Sequence, residues 1–325
     1  MSGHRSTKQE GLRRRRPPTQ VPVLTIPYVE GTVQYDGVLV RFGEVGIKSP
    51  PVRRQMLNRL RQNLLDALLR HGVEGDAQLM GARLWMVGPD TDALLRIATH
   101  TFGVVSASRT VRCPATMDAM KATAARLALD KTGWTRFAIR PRREGEQPFS
   151  SMDVGKEVGS AVFLAAEAAG RTPTVDLTAP ELEVHVDVRT NGAFLFTAST
   201  DGPGGLPAGA QGHVVVLMDR PDAVVAAWLM LRRGCKITFA HDGESPSDAL
   251  RALHAWGAPL GSHPLMGDDA VDAAWQGFQA DAVVTADTLA DDVALRPGIP
   301  VLRPLCGLAP VEVDRIRKRI MGAAV

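Results

Sequence analysis

Residues 214–235 read VVVLMDRPDAVVAAWLMLRRGC. Val214 to Leu217 are apolar and end at a charged, proline-bearing turn, the pattern of a short buried strand. Val224 to Arg233 predict a helix. Between them Met218, Asp219, Arg220, Pro221, Asp222 and Ala223 form a tight strand-to-helix turn. In α/β proteins such a turn seats a phosphate on the helix N-terminus. This one carries acids, an arginine and a proline, and no glycine.

The same alternation continues downstream. Strands are predicted at Ile237–Ala240, Asp281–Val284 and Pro300–Leu302, with helices near Ser247–Trp256, Asp268–Gln276 and Val311–Met321. Strand and helix in regular succession predict a doubly wound parallel sheet over residues 204–325. The string DGPGGLPAG, residues 201–209, is the clearest linker before it.

Upstream, residues 112–203 form a second unit. It has helix Thr116–Lys131, strand Arg136–Arg140, a charged loop, helix Val154–Ala168, and strands Glu181–Val188 and Ala193–Thr200. Leu182, Val184, Val186 and Val188 alternate inward. Residues 37–111 form a third unit, with a strand near Val38–Phe42 and a helix opened by Pro50 and Pro51 with Ser49 as N-cap. Strands near Ala77–Met80 and Arg83–Val87, a helix over Thr91–Thr99 and a strand over Gly103–Arg112 follow. This β-α-β-β-α-β order predicts a ferredoxin-like unit. Residues 1–36, with Arg13 to Arg16 followed by Pro17 and Pro18, are expected to be a disordered basic arm.

Composition narrows the class. The chain has 325 residues, 45% hydrophobic and 22% charged, as in an ordinary soluble protein. The longest apolar run, Ala223 to Leu231, is nine residues, short of the ~18 of a membrane span. No signal peptide is evident, and a cytoplasmic location is expected. Cys113, Cys235 and Cys306 lie far apart, so neither a disulfide framework nor a metal cluster is expected. The net charge of +3 is uneven: +7 over residues 1–111, −1 over 112–203 and −3 over 204–325. A basic N-terminal third suits a phosphate backbone, and equally a basic tail with a solvated helix face.

Taken in order, VRFGEVGIKS with Arg53 and Arg54, IRPRREGEQPFSSMDVGKEVG, EVHVDV, GPGGLPAGAQG, AAWLMLRRGC and VLRPL resemble the tRNA 4-thiouridine synthase (tRNA sulfurtransferase) family. The resemblance runs over roughly residues 37–305. It implies a ferredoxin-like domain, a THUMP RNA-binding domain and a C-terminal PP-loop domain of the adenine nucleotide hydrolase-like type, with tRNA as partner and ATP with Mg as cofactor. Such proteins adenylate a uridine of tRNA and exchange the activated oxygen for persulfide sulfur.

The resemblance implies Ser-Gly-Gly-x-Asp-Ser where this chain has Met218 to Ala223, and only Asp222 matches. Glycines let backbone N–H groups close on a pyrophosphate, and serines add donors. Asp219 instead places a carboxylate there, Arg220 blocks close approach and Pro221 lacks an N–H. An ordinary capped turn is the plainer reading. The family's Thr-Gly-Glu-x-x-Gly-Gln corresponds to TADTLAD, residues 285–291, with Ala286 and Ala290 for the glycines and Asp291 for the glutamine. The implied nucleotide-binding positions are Leu217, Met218, Asp219, Arg220, Asp222, Ala223, Ala240, His241 and Ala286. The family's persulfide cysteine falls beyond Val325. Asp222 and Cys306 remain as catalytic candidates, Cys306 at a strand end near Arg303, although a buried thiol and a satisfied loop histidine at His241 are the plainer readings.

The implied RNA contacts are Lys48, Arg53 and Arg54 at a helix start, and Arg140, Arg142, Arg143, Ser150 and Ser151 around the basic loop. The plainer reading for each cluster is a solvated face. Three functions are therefore open. One is a tRNA-binding member acting in tRNA thiolation with impaired or absent adenylation of its own, working with a sulfur carrier or catalytic partner protein, as a monomer or homodimer. The others are an active ATP-dependent sulfurtransferase with an atypical loop, and a nucleotide-binding regulator without RNA.

Overall fold

The computed structural model describes residues 33–241, 246–258, 261–265, 270–291 and 298–322. The sequence-predicted arm lies mostly outside these. Its last residues, 33–36, are packed: the Val33 N–H donates to Asp130 Oδ1 at 3.0 Å, and Asp36 Oδ2 accepts the Arg112 N–H at 2.7 Å.

The first unit comprises β1 (Gly37–Phe42), α1 (Pro50–Arg70), β2 (Asp76–Met80), β3 (Arg83–Val87), α2 (Thr91–Thr99) and β4 (Val104–Cys113). Its order, β2-β3-β1-β4, all antiparallel, is that of a ferredoxin-like sheet. Met56, Leu57, Leu60, Leu64 and Leu68 are buried on one stripe of α1, at the spacing read from sequence. Ser49 precedes the helix without a side-chain cap bond; Pro51, at the second helical position, has no N–H to offer it.

The second unit adds α3 (Met117–Asp130), β5 (Arg136–Arg143), α4 (Ser151–Ala168), β6 (Thr174–Val175), β7 (Leu182–Arg189) and β8 (Gly192–Phe196). Helix α4 starts before the predicted Val154, because Ser150 and Asp153 close a capping box. Leu182, Val184, Val186 and Val188 are buried against α3 and α4 as their alternation requires. Strand β4 belongs to both units: Gly37 to Phe42 pair with its residues up to Thr110, and Val111 to Cys113 pair with β8. One sheet, β2-β3-β1-β4-β8-β7-β5-β6, therefore runs through both, with β9 (Thr200–Asp201) paired on β4.

The third unit holds β10 (His213–Leu217), α5 (Ala223–Arg232), β11 (Lys236–His241), α6 (Ser247–Ala255), β12 (Ser262–Pro264), α7 (Ala270–Gly277), β13 (Ala282–Val284), β14 (Val301–Leu302) and α8 (Pro310–Met321). Its parallel order is β12-β11-β10-β13-β14. The sequence predicted four of these strands. Ser262, His263 and Pro264 carry no strand propensity, and β12 exists because β11 offers it an edge. The start predicted for α7, Asp268, lies outside the described residues. Helix α5 is buried almost all round, which is why its sequence shows no polar face.

The linker is held rather than loose. Gly103 N–H donates to Gly204 O, Gly204 N–H to Val104 O, Leu206 N–H to Arg232 O and Gln211 N–H to Gly234 O. Gly205 has φ +74°, and a Cβ there would lie 2.1 Å from Arg232 O. Phe102, from the turn before β4, enters the core of the third unit. Its ring lies 5.5 Å from that of Trp228 and 6.2 Å from that of Trp256.

Candidate nucleotide crevice and nucleic-acid surface

In a doubly wound sheet the chain reverses its winding between β10 and β13, and ligands sit beyond the C-terminal ends of those strands. The structure brings there the turn after β10, His241 at the end of β11, and the segment 285–291 after β13. The implied nucleotide positions divide into two groups.

The first group is core. Met218 is 8% exposed and its N–H donates to Ala240 O at 2.7 Å. Ala223, Ala240 and Ala286 are buried, and Leu217 packs on the cluster beneath α7. Serines at the first and last turn positions would face this apolar packing.

The second group is charged and pairs with itself. The Arg220 guanidinium lies 3.0 Å from Asp287, 3.2 Å from Asp291 and 3.9 Å from Asp219. Partial burial opposes its charge. The Asp291 hydrogen bond and the charges of Asp219 and Asp287 outweigh that and push its pKa up. Asp291 also accepts the Thr288 N–H at 2.6 Å and the Thr288 hydroxyl at 2.8 Å. These bonds, with Arg220, hold its carboxyl below the usual range. Asp222, the one position matching the family loop, has no side-chain cap bond; Arg317 of α8 holds it at 2.6 Å. Arg303 donates to the carbonyls of Thr288 and Asp291, so it is engaged away from the thiol it was expected to activate. The Cys306 thiol points at Asp287 O, 3.8 Å away.

Among the described residues at this edge, three buried polar atoms have no partner: His241 Nδ1, on a residue 7% exposed, Thr285 Oγ1 and Arg303 Nε. Among the described residues no group of three or more His, Cys, Asp or Glu is placed to hold a metal ion. The phosphates of a nucleotide would meet few free donors here. Tested against these side chains, ATP does not fit the turn: it lacks the glycine cradle, and its cation is bound to three carboxylates. Asp287 and Arg317 were missed by sequence reasoning, because their partners lie in distant segments, and Arg303 was read only as a neighbour of Cys306.

The expected RNA residues also divide. Lys48, Arg53 and Arg54 are exposed, without an ion pair among the described residues. The helix N–H groups contribute little beside them: Pro50 and Pro51 have none, and the Arg53 N–H is used by Ser49 O at 2.8 Å. Arg142 is exposed and extends from β5. Arg140 is tied to Glu183 at 2.7 Å and Arg143 to Gly145 O at 2.9 Å. The Ser150 hydroxyl caps α4, and Ser151 is the first residue of that helix.

Arg140 and Arg142 lie on the helix-free face of the long sheet, where strand alternation adds arginines that were not predicted. Register places His185 beside Arg140 and Asp187 beside Arg142. Buried Asp187 holds Arg189 at 2.5 Å and Arg83 at 3.3 Å. Arg41 lies 4.5 Å over the Phe196 ring, against which His185 also stacks at 4.8 Å. Burial first, then the charges of Arg83 and Arg142, lower the Arg41 and Arg189 pKa values to about 10. Both remain charged at neutral pH. Sites at every second strand position were the available signal.

No helix among the described residues is long and apolar enough to cross a membrane. Residues 37–108 match the model of the ThiI ferredoxin-like domain, and residues 114–198 match that of the THUMP domain. A probable tRNA sulfurtransferase of Methanothermobacter thermautotrophicus is 30% identical over 346 residues, covering 89% of this chain and 85% of that protein. One from Methanosarcina acetivorans is 37% identical over 235 residues, 67% of this chain and 56% of the relative. The chain thus spans about half the length of several curated relatives it matches. Among solved structures, a Pyrococcus horikoshii protein superposes with TM-score 0.76 at 21% identity, over 88% of this chain and 99% of that one. A 4-thiouridine synthetase–RNA complex with bound ATP superposes with TM-score 0.70 at 19% identity, over 90% and 87%. These two likenesses are of fold.

Proposed function

The chain belongs to the tRNA sulfurtransferase family, and from that premise we propose that it is a tRNA-binding member whose own ATP-dependent adenylation is impaired or absent. The carrying observation is the Arg220 cluster. One guanidinium bridges Asp219, Asp287 and Asp291 across the two segments that would have to admit a nucleotide. A triphosphate entering there must break those pairs and approach carboxylates. At about 4 Å each like-charge pair costs about 1 kcal/mol in water and several-fold more in a partly buried site. The binding role rests on the THUMP match and the exposed Lys48, Arg53, Arg54 and Arg142. Backbone and shape recognition suits such a surface. The protein would then present tRNA to a sulfur carrier or to a catalytic partner.

The orphan atoms His241 Nδ1, Thr285 Oγ1 and Arg303 Nε favour a second reading, in which the crevice takes a nucleotide in an altered pose and the enzyme is active. Separate titrations decide. tRNA should bind with a steep salt dependence. Charge reversal at Arg53 and Arg54, or at Arg142 and Arg143, should weaken it and flatten the log–log slope by about one per lost phosphate contact. Calorimetry with ATP should show weak binding, with no thiolation of tRNA. Tight ATP binding with thiolation would establish the second reading. Unchanged tRNA affinity and slope in both double variants would remove RNA from these surfaces.

A further inference from the structure

A cavity of about 900 Å³ lies between the ferredoxin-like unit and the α/β unit. Its α/β wall is built from the first residues of β11 and β12 and the last of α6. In a parallel sheet that is the edge opposite the Arg220 crevice. The other wall is the C-terminal half of α1 and the end of α2.

Four cations line the cavity: Arg59 and Arg70 from α1, Arg96 from α2 and Lys236 from β11. None forms an ion pair with a described carboxylate. The one carboxylate among the described lining residues, Asp66, accepts a hydrogen bond from Gln62 at 2.7 Å, and its charge also favours that of Arg70. Burial first, then Arg70, His254, His100 and Arg96, hold His71 below its ordinary value. Among its described lining residues the site thus carries more positive charge than negative, and its cations come from two domains.

Apolar Ile97, Phe102, Ile237 and Trp256 share the walls with polar Asn63, Thr238 and four histidines. The Trp256 residue is 3% exposed and its indole N–H has no partner. The His100 and Trp256 rings are in contact, tilted by 40° with centroids 4.6 Å apart. The volume falls in the ~300–1,000 Å³ range of small-molecule sites, and apolar wall beside polar groups is their make-up too.

We propose that this interdomain cavity binds a small organic phosphate of nucleoside-monophosphate size, its phosphate between the α1–α2 arginines and Lys236 and its body on the apolar wall. Guanidinium forks from two helices suit a phosphate dianion better than a single carboxylate. An occupant touching both units ties them together. The site is separate from the crevice considered above, and its test does not depend on the state of that crevice.

The full chain is titrated by calorimetry with AMP, glucose 6-phosphate and inorganic phosphate. At least one organic phosphate should bind with unit stoichiometry, tighter than inorganic phosphate. Arg70→Ser with Arg96→Ser should weaken it at least tenfold, and Arg220→Ala should leave it unchanged. Lys236→Gln, at an exposed strand start, serves as a second variant should the double variant not fold, and should weaken binding several-fold. The ligand should also raise the melting temperature of the wild type. Absence of binding by both organic phosphates, binding no tighter than that of inorganic phosphate, or loss of binding through Arg220→Ala with the cavity variants unaffected would each overturn the proposal.

Discussion

Arg220 carries the most consequence of any single residue. It sits in the turn at Met218–Ala223, yet its partners Asp287 and Asp291 come from the segment after β13. Its side chain is 40% exposed and that of Asp287 10%, so solvent screens the pairs and the cluster is worth little more than a surface network. Removing the cation alone is worse than removing the cluster, because three carboxylates are left facing one another. Arg220→Ala should therefore destabilise the fold by about 1–2 kcal/mol, and Arg220→Ala with Asp287→Asn and Asp291→Asn should recover most of that. Urea unfolding of the three proteins measures both steps. A triple variant no more stable than Arg220→Ala would show that repulsion is not the cause. The same cluster limits any attempt to rebuild the family loop. A Ser-Gly-Gly-Pro-Asp-Ser turn would exchange buried Met218 for a polar residue and leave Asp287 and Asp291 in place.

At the level of elements, the segment from residue 201 to 212 behaves as a splint. It bonds to the start of β4 on one side and to the α5–β11 turn on the other. Gly205 is required twice over, by its φ of +74° and by the Arg232 carbonyl 2.1 Å from where a Cβ would stand. Gly205→Ala should cost at least ~2 kcal/mol, from the left-handed backbone and the displaced carbonyl. Thermal unfolding would read it as a lowered midpoint, and an unchanged midpoint would mean that the linker is looser than its bonds imply. Gly202 by contrast has an ordinary φ, so the requirement there is space alone: its Cβ would meet Val104 O at 2.3 Å.

For the whole molecule, two features join three sequence units into one. Strand β4 is shared by the ferredoxin-like and THUMP sheets. Phe102 is 1% exposed within the core of the α/β unit. Phe102→Ala should cost about 3–5 kcal/mol as a buried aromatic deletion. Its loss falls on the contact between units, so denaturant unfolding should change from one transition to two, the α/β unit separating from the other pair. A single transition, merely shifted, would show that the linker alone suffices to couple them.

Much of this was legible in the linear sequence because it depends on neighbours. Helix α1 was visible in leucines at helical spacing, β7 in alternating residues from Leu182, and the parallel α/β unit in the succession beginning at Val214. The absence of glycine from the turn after β10 is equally a local fact, a departure from the family that the ordered motifs were enough to indicate. Tertiary structure decided what those residues do. Arg220 and Asp291 are 71 positions apart and Asp222 and Arg317 are 95 apart, so no window of sequence pairs them. Likewise β12, three residues with no strand propensity, exists because β11 offers unpaired backbone groups. The cationic cavity forms where α1, α2 and α6 happen to converge. Periodicity reports which face of an element is buried, whereas charge pairing and cavities depend on which elements meet, and only the folded chain specifies that.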